Sequence, residues 1–267
     1  MSFDASAGSL RCPFCGSEQL QQQADKKVLS PNRVVPLSID KDEAVARMRS
    51  WLQGGIWRPS NVSQQATVVS MSAVYVPYWV FEATTHTFWT ADTDQVPYGG
   101  RGDWYPLTGE HHGTYSGLLV GASGVLTPRE TAEVCPFDLV AGVPPGEVDL
   151  DNVIVEDFSV ARKYARPLAR QGLEAREAEA CRQRYVTGQS RNVKVNVRIE
   201  GLSSEPVLLP VWMLAYRYKQ KIYRFLMNGQ TGKCTGTAPV TYFKVGMIAG
   251  AVALAILLLL CLLSLVR

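Results

Sequence analysis

The chain has 267 residues, with 27 Lys and Arg against 24 Asp and Glu. This near balance, a formal net charge of +3, speaks against a dedicated nucleic-acid binder, which would show a basic stripe. Six cysteines, in a cytosolic protein, point to free thiols or metal ligands rather than disulfides.

Residues 1–30 read as a zinc-ribbon-like segment, polar to about Gln23 apart from the single knuckle Cys12-Pro13-Phe14-Cys15-Gly16. Two thiolates separated by two residues can grip one Zn²⁺, and Gly16 lets the backbone curl beneath the metal. That is half of a four-ligand site. Cys135, Cys181, Cys234, His86, His111 and His112, or a second subunit, are the candidates to complete it. A metal-free turn and a redox pair are the other readings. The redox pair fits least, because no strand-to-helix junction of thioredoxin type surrounds the motif.

Val34-Val35-Pro36-Leu37 leads into a helix that Asp40 caps, with Glu43 three residues on completing a capping box. Ala44, Val45, Met48, Trp51 and Leu52 share its apolar face, and Gly54-Gly55 ends it. From Ala66 to Thr90 the chain is dense in Val, Thr, Tyr, Phe and Trp, which predicts a long strand broken or bulged at Pro77. Gly and Pro punctuate Pro97 to Gly113, read as turn and loop. Shorter strands are expected over Tyr115–Val120 and Val153–Phe158, on either side of Pro144-Pro145-Gly146.

A second helix is expected from Pro167 to about Tyr185. Val193, Val195, Val197 and Ile199 then alternate with Asn, Lys, Asn and Arg, the pattern of a strand with one wet face. Val207–Tyr218 and Lys221–Met227 read as two strands joined at a tight Lys219-Gln220 turn. Val74-Tyr-Val-Pro77-Tyr-Trp79-Val-Phe81 is echoed at Val207-Leu-Leu-Pro210-Val-Trp212-Met-Leu214, which suggests related helix-plus-sheet halves over 31–150 and 151–243. The expected fold class is α+β: an antiparallel-sheet-rich body with two main helices.

Enzyme motifs nearly occur and fail. Gly229 to Cys234 resembles a phosphate loop, but Met227 stands where Gly is required and Cys234 replaces the Mg²⁺-binding Ser or Thr. Gly121 to Val125 lacks the final Gly of a nucleophile elbow. No nucleotide cofactor and no catalytic residue follow. Glu110-His111-His112 is the polar cluster with metal-binding chemistry; on a strand, Glu110 and His112 would share a face while His111 points away.

Residues 244–267 hold Val245–Val266, twenty-two residues without a charge, bracketed by Lys244 and Arg267. Roughly 20 apolar residues as a helix cross a hydrocarbon core. Val245, Gly246, Gly250, Leu258 and Val266 mark the expected C-terminal transmembrane helix, with Gly246 and Gly250 spaced for helix packing. MSFDASAGSL at the start has no export signal, and Lys and Arg are frequent before the run. The expectation is a single-pass protein of the bacterial cytoplasmic membrane, its body in the cytosol and the lipid bilayer its first partner.

These motifs together resemble a bacterial family of zinc-ribbon membrane proteins labelled as similar to primosomal protein N′ (replication factor Y) or as TFIIB-type zinc-ribbon proteins. The resemblance rests on Cys12 to Gly16, Val34 to Leu37, Val74 to Phe81, Leu208 to Tyr218 and Asn228 to Lys233. Longer members carry two Cys pairs, whereas this chain carries the pair Cys12 and Cys15. The resemblance implies zinc, no known catalytic activity, and association with SPFH-type or phage-shock-type membrane proteins. The leading expectation is therefore a noncatalytic, membrane-tethered scaffold or adaptor, able to form a homo-oligomer. A hydrolase using the loop from Glu110 to His112 is the alternative, and a zinc-ribbon nucleic-acid module the third.

Overall fold

The computed structural model describes residues 29–55, 57–151 and 153–241, together with Met247 and Ile256. In chain order the elements are β1 (Arg33–Val34), α1 (Lys41–Gln53), α2 (Val62–Gln65), β2 (Thr67–Thr93), β3 (Tyr105–Gly121), α3 (Pro128–Val134), β4 (Ile154–Val155), α4 (Arg162–Tyr185), β5 (Ser190–Tyr218), β6 (Lys221–Asn228) and β7 (Cys234–Gly236). One sheet of order β3-β2-β5-β6-β7 holds the strands, with β1 beside β5 and β4 beside β2.

Two strands dominate. β2 and β5 pair antiparallel from Thr67↔Arg217 to Thr93↔Ser190. At about 3.4 Å per residue a strand of 27 residues has a contour of roughly 90 Å, far longer than an ordinary strand. The pair is therefore both the core of a body and the spine of an arm.

In the body, both sheet faces are covered. Residues 73–81 of β2 and 206–216 of β5 are buried without interruption. On one face, Met48 and Leu52 of α1 pack with Trp212, Leu214, Tyr216 and Phe225. On the other, Val134 of α3, Leu126 and Phe137 pack on Val74, Val76, Tyr78 and Val80. Beyond Phe81 only the first face stays covered. There α4 lays Ala165, Ala169 and Leu173 on Phe81, Ala83 and Leu118, and β2 alternates buried with exposed or half-buried residues to its end.

Pro77 and Pro210 lie inside long strands, not at an edge or bulge. Each sits where its strand changes neighbours. β2 passes from β4 at Tyr75 to β3 at Tyr78, and β5 passes from β1 at Leu208 to β6 at Val211. A missing N–H costs least in such a gap. The echoed segments are themselves cross-strand partners, Tyr75 facing Pro210 and Pro77 facing Leu208.

Several sequence-based boundaries change. Residues 105–113, expected as loop, belong to β3. The strands expected at 193–199 and 207–218 are one strand. The second helix begins at Arg162, five residues before Pro167, and the turn around that proline is held by buried Ala165 and Ala169. The two expected main helices, α1 and α4, are joined by the short α2 and α3.

The membrane anchor and the zinc ribbon are both corrected. No helix among the described residues is long and apolar enough to cross a membrane. Val245, Gly246, Gly250, Leu258 and Val266 lie outside the described residues. The single-pass assignment to the bacterial cytoplasmic membrane therefore does not stand. Cys12 and Cys15 also lie outside the described residues. The potential metal-holding group among the described residues contains no cysteine, so no ribbon is assembled among them.

Candidate metal-binding site on the open sheet face

Bulges decide which side chains reach the open face of the arm, and two of them lie between the body and the cluster. In β3 the pairing runs Phe81↔Leu118 and then Ala83↔Tyr115, so one residue of β2, Glu82, faces two of β3. Gly117 has φ +69°, the left-handed region that a glycine enters without a Cβ clash. Because the side-chain period of a strand is two, this single extra residue reverses the facing of everything before it. Leu118 and Val120 point to the helix-covered face, and so, beyond the bulge, does His111. Glu110 and His112 are thereby turned to solvent. β5 repeats the device at Glu200, where Thr84↔Gly201 is followed by Thr85↔Ile199.

On the open face His86 of β2 pairs directly with His112 of β3. Their rings are stacked, centroids 4.1 Å apart and planes 17° apart. Glu110 Oε2 lies 2.9 Å from His86 Nε2. One ligand atom from each of the three residues falls within 4.8 Å of the others. The His86 side chain is 19% exposed and that of Glu110 58%, so the histidine is partly sheltered while the carboxylate stays wet. Phe88 flanks the cluster, its ring 4.6 Å from that of His86.

The opposite face of the same strands holds a buried polar network. Glu177 of α4 is fully buried and accepts a hydrogen bond from the Thr85 hydroxyl. Its Oε2 is 3.8 Å from His111 Nε2, and His111 Nδ1 is 3.0 Å from the Tyr185 hydroxyl. Burial, then the neighbouring Glu177 charge, pushes the Tyr115 phenol up to about 12 and the Cys181 thiol up to about 11. Gly113 makes room for this carboxylate, since a Cβ there would stand 2.4 Å from Glu177 Oε1. Gly109 does the same for the Trp89 ring, 2.8 Å from its own notional Cβ.

The candidates from the sequence are thus separated. His86, Glu110 and His112 come together; His111 is on the far side of the sheet. Cys181 is buried with Trp89 and Ala91, while Cys135 and Cys234 pack against different core clusters. Glu110 and His112, the pair that the hydrolase alternative rests on, stand on an open face, divided between two shallow hollows of about 430 and 440 Å³. Sequence reasoning did not single out Glu177, although Ala165, Ala169, Leu173, Glu177 and Cys181 form a stripe at intervals of four that marks it as inward-facing.

The fold and the cluster define an α+β protein with a long antiparallel arm, helix-covered on one face and bearing a cluster of histidine and carboxylate side chains on the other. It is similar to a Bacillus subtilis (strain 168) protein described as uncharacterized protein YdjG, 26% identical over 242 residues that cover 85% of this chain and 70% of that one. No protein-family model and no solved structure matches the chain.

Proposed function

We propose that the chain is a noncatalytic scaffold or adaptor that holds partner proteins along the outer edge of β3. The observation that carries this reading is the state of that edge. β3 is terminal in the sheet and, among the described residues, pairs with β2 alone. Its 17 residues contain one charge, Glu110, and no Lys or Arg; Pro106 guards only its start. The opposite edge of the arm, along β5, is studded with Arg191, Lys194, Arg198 and Glu200. Charges, Lys above all, are the usual protection of an exposed edge, and an unprotected one is a template for an added strand.

Each backbone hydrogen bond gained by an added strand is worth about 0.5–1.5 kcal/mol, so a stretch of six or so supplies several kcal/mol before any side chain contributes. Partners of the SPFH or phage-shock type are the ones the family resemblance implies. The test is affinity capture of the full chain from its host beside a Thr114→Lys/Ser116→Lys variant, both positions being exposed on β3. Partners recovered with the parent and lost with the variant support the reading. An identical set with both, or none with either, overturns it.

A further inference from the structure

We propose that His86, Glu110 and His112 form a binding site for a divalent transition-metal ion, with Zn²⁺ as its natural probe. This is independent of strand addition at the β3 edge. The site joins two strands through positions fixed by the sheet register: His86 is the direct partner of His112, and Glu110 lies two residues from His112 on the same face. Two imidazoles and one carboxylate are the donor set that zinc and its late first-row neighbours favour.

The distances suit the ion. Metal bonds of about 2.0–2.1 Å in a tetrahedral site place ligand atoms roughly 3.4 Å apart. Here one pair is already at 2.9 Å and all three atoms lie within 4.8 Å. The remaining closure falls to the side chains of Glu110 and His112, both exposed. The stacking of the rings sets the two imidazoles side by side. Three protein ligands leave a fourth position facing solvent, where water or a donor from a docked partner can bind.

Arg198, the β5 partner of His86, is the opposing influence. It is exposed, and water screens its charge, so it weakens a cation at the site by a few-fold without abolishing binding.

The experiment is zinc titration of the full chain carrying Cys12→Ser and Cys15→Ser, so that those thiols contribute nothing, by calorimetry and by competition with a chromophoric chelator. About one equivalent of zinc is expected per chain. His112→Ala and His86→Ala should each weaken it at least 100-fold, Glu110→Gln about tenfold, with circular dichroism unchanged for the exposed His112→Ala variant. Cobalt bound in place of zinc should give the visible absorption of a four- or five-coordinate nitrogen and oxygen site, lost in the same variants. Zinc that fails to bind the parent, or that binds undiminished to a folded His86→Ala/His112→Ala double variant, overturns the proposal.

Discussion

His86 and His112 face each other across β2 and β3, their imidazoles stacked 4.1 Å apart, although 25 residues of chain separate them. The relationship depends on the bulge at Gly117. Without that extra residue, Glu110 and His112 would share a facing with Leu118 and Val120 and turn under α4.

Gly117 therefore bears both strain and register. Gly117→Ala should cost about 1–2 kcal/mol, the penalty of the left-handed conformation for a residue with a Cβ. Gly124→Ala, where a Cβ meets nothing within 4 Å, should fall within about 0.5 kcal/mol of the parent. Urea unfolding of the two variants side by side checks the contrast.

Gly113 is a second sensitive position, for a different reason. A Cβ there would approach Glu177 Oε1 at 2.4 Å and Thr85 Oγ1 at 2.7 Å, both part of a packed, buried network. Gly113→Ala should destabilise by about 1–3 kcal/mol, as overpacking does. Relief of that loss by Glu177→Ala in the same chain would locate the clash.

Half-buried Tyr115 and buried Cys181 make stability sensitive to alkali. Each is an acid whose folded pKa, about 12 and about 11, lies above its ordinary value of 10.0 or 9.0. The unfolded chain then loses these protons first. Their contribution is fully present below the ordinary values and is lost as pH rises from 9.0 towards about 12. The urea midpoint should fall between about pH 8 and pH 11, and fall less in a Cys181→Ala variant, once compared with its own value at about pH 8.

Arg198→Gln removes a cation from the neighbourhood of His86. Zinc affinity should rise roughly threefold, about 0.7 kcal/mol, and the gain should shrink in concentrated salt. An unchanged affinity would place the ion elsewhere.

Where local chemistry decides structure, the sequence is legible. Asp40 does cap α1, its carboxylate accepting from Glu43 N at 2.8 Å, and Lys219 does turn the β5–β6 hairpin with φ 55°. The shared facing of Glu110 and His112 follows from the strand period alone. What the sequence hides is non-local. Residues 105–113 lack the apolar alternation of a strand because Gly109 and Gly113 yield their places to Trp89 and Glu177. His86 joins the cluster through register with a distant strand, and the reversal at Gly117 depends on one φ angle. The C-terminal apolar run is a different case: Val245–Val266 lies almost wholly outside the described residues, and no helix among the described residues is long and apolar enough to cross a membrane.

Amide hydrogen exchange along β3, read on the full chain alone and bound to a captured partner, tests the scaffold reading most directly. Strand addition requires that the outward-facing amides within Tyr105–Gly121 exchange fast in the free protein and become protected in the complex, while the charged edge of β5 over 190–204 keeps its free rate. Protection confined to β5 or to the body, with β3 unchanged, would contradict it.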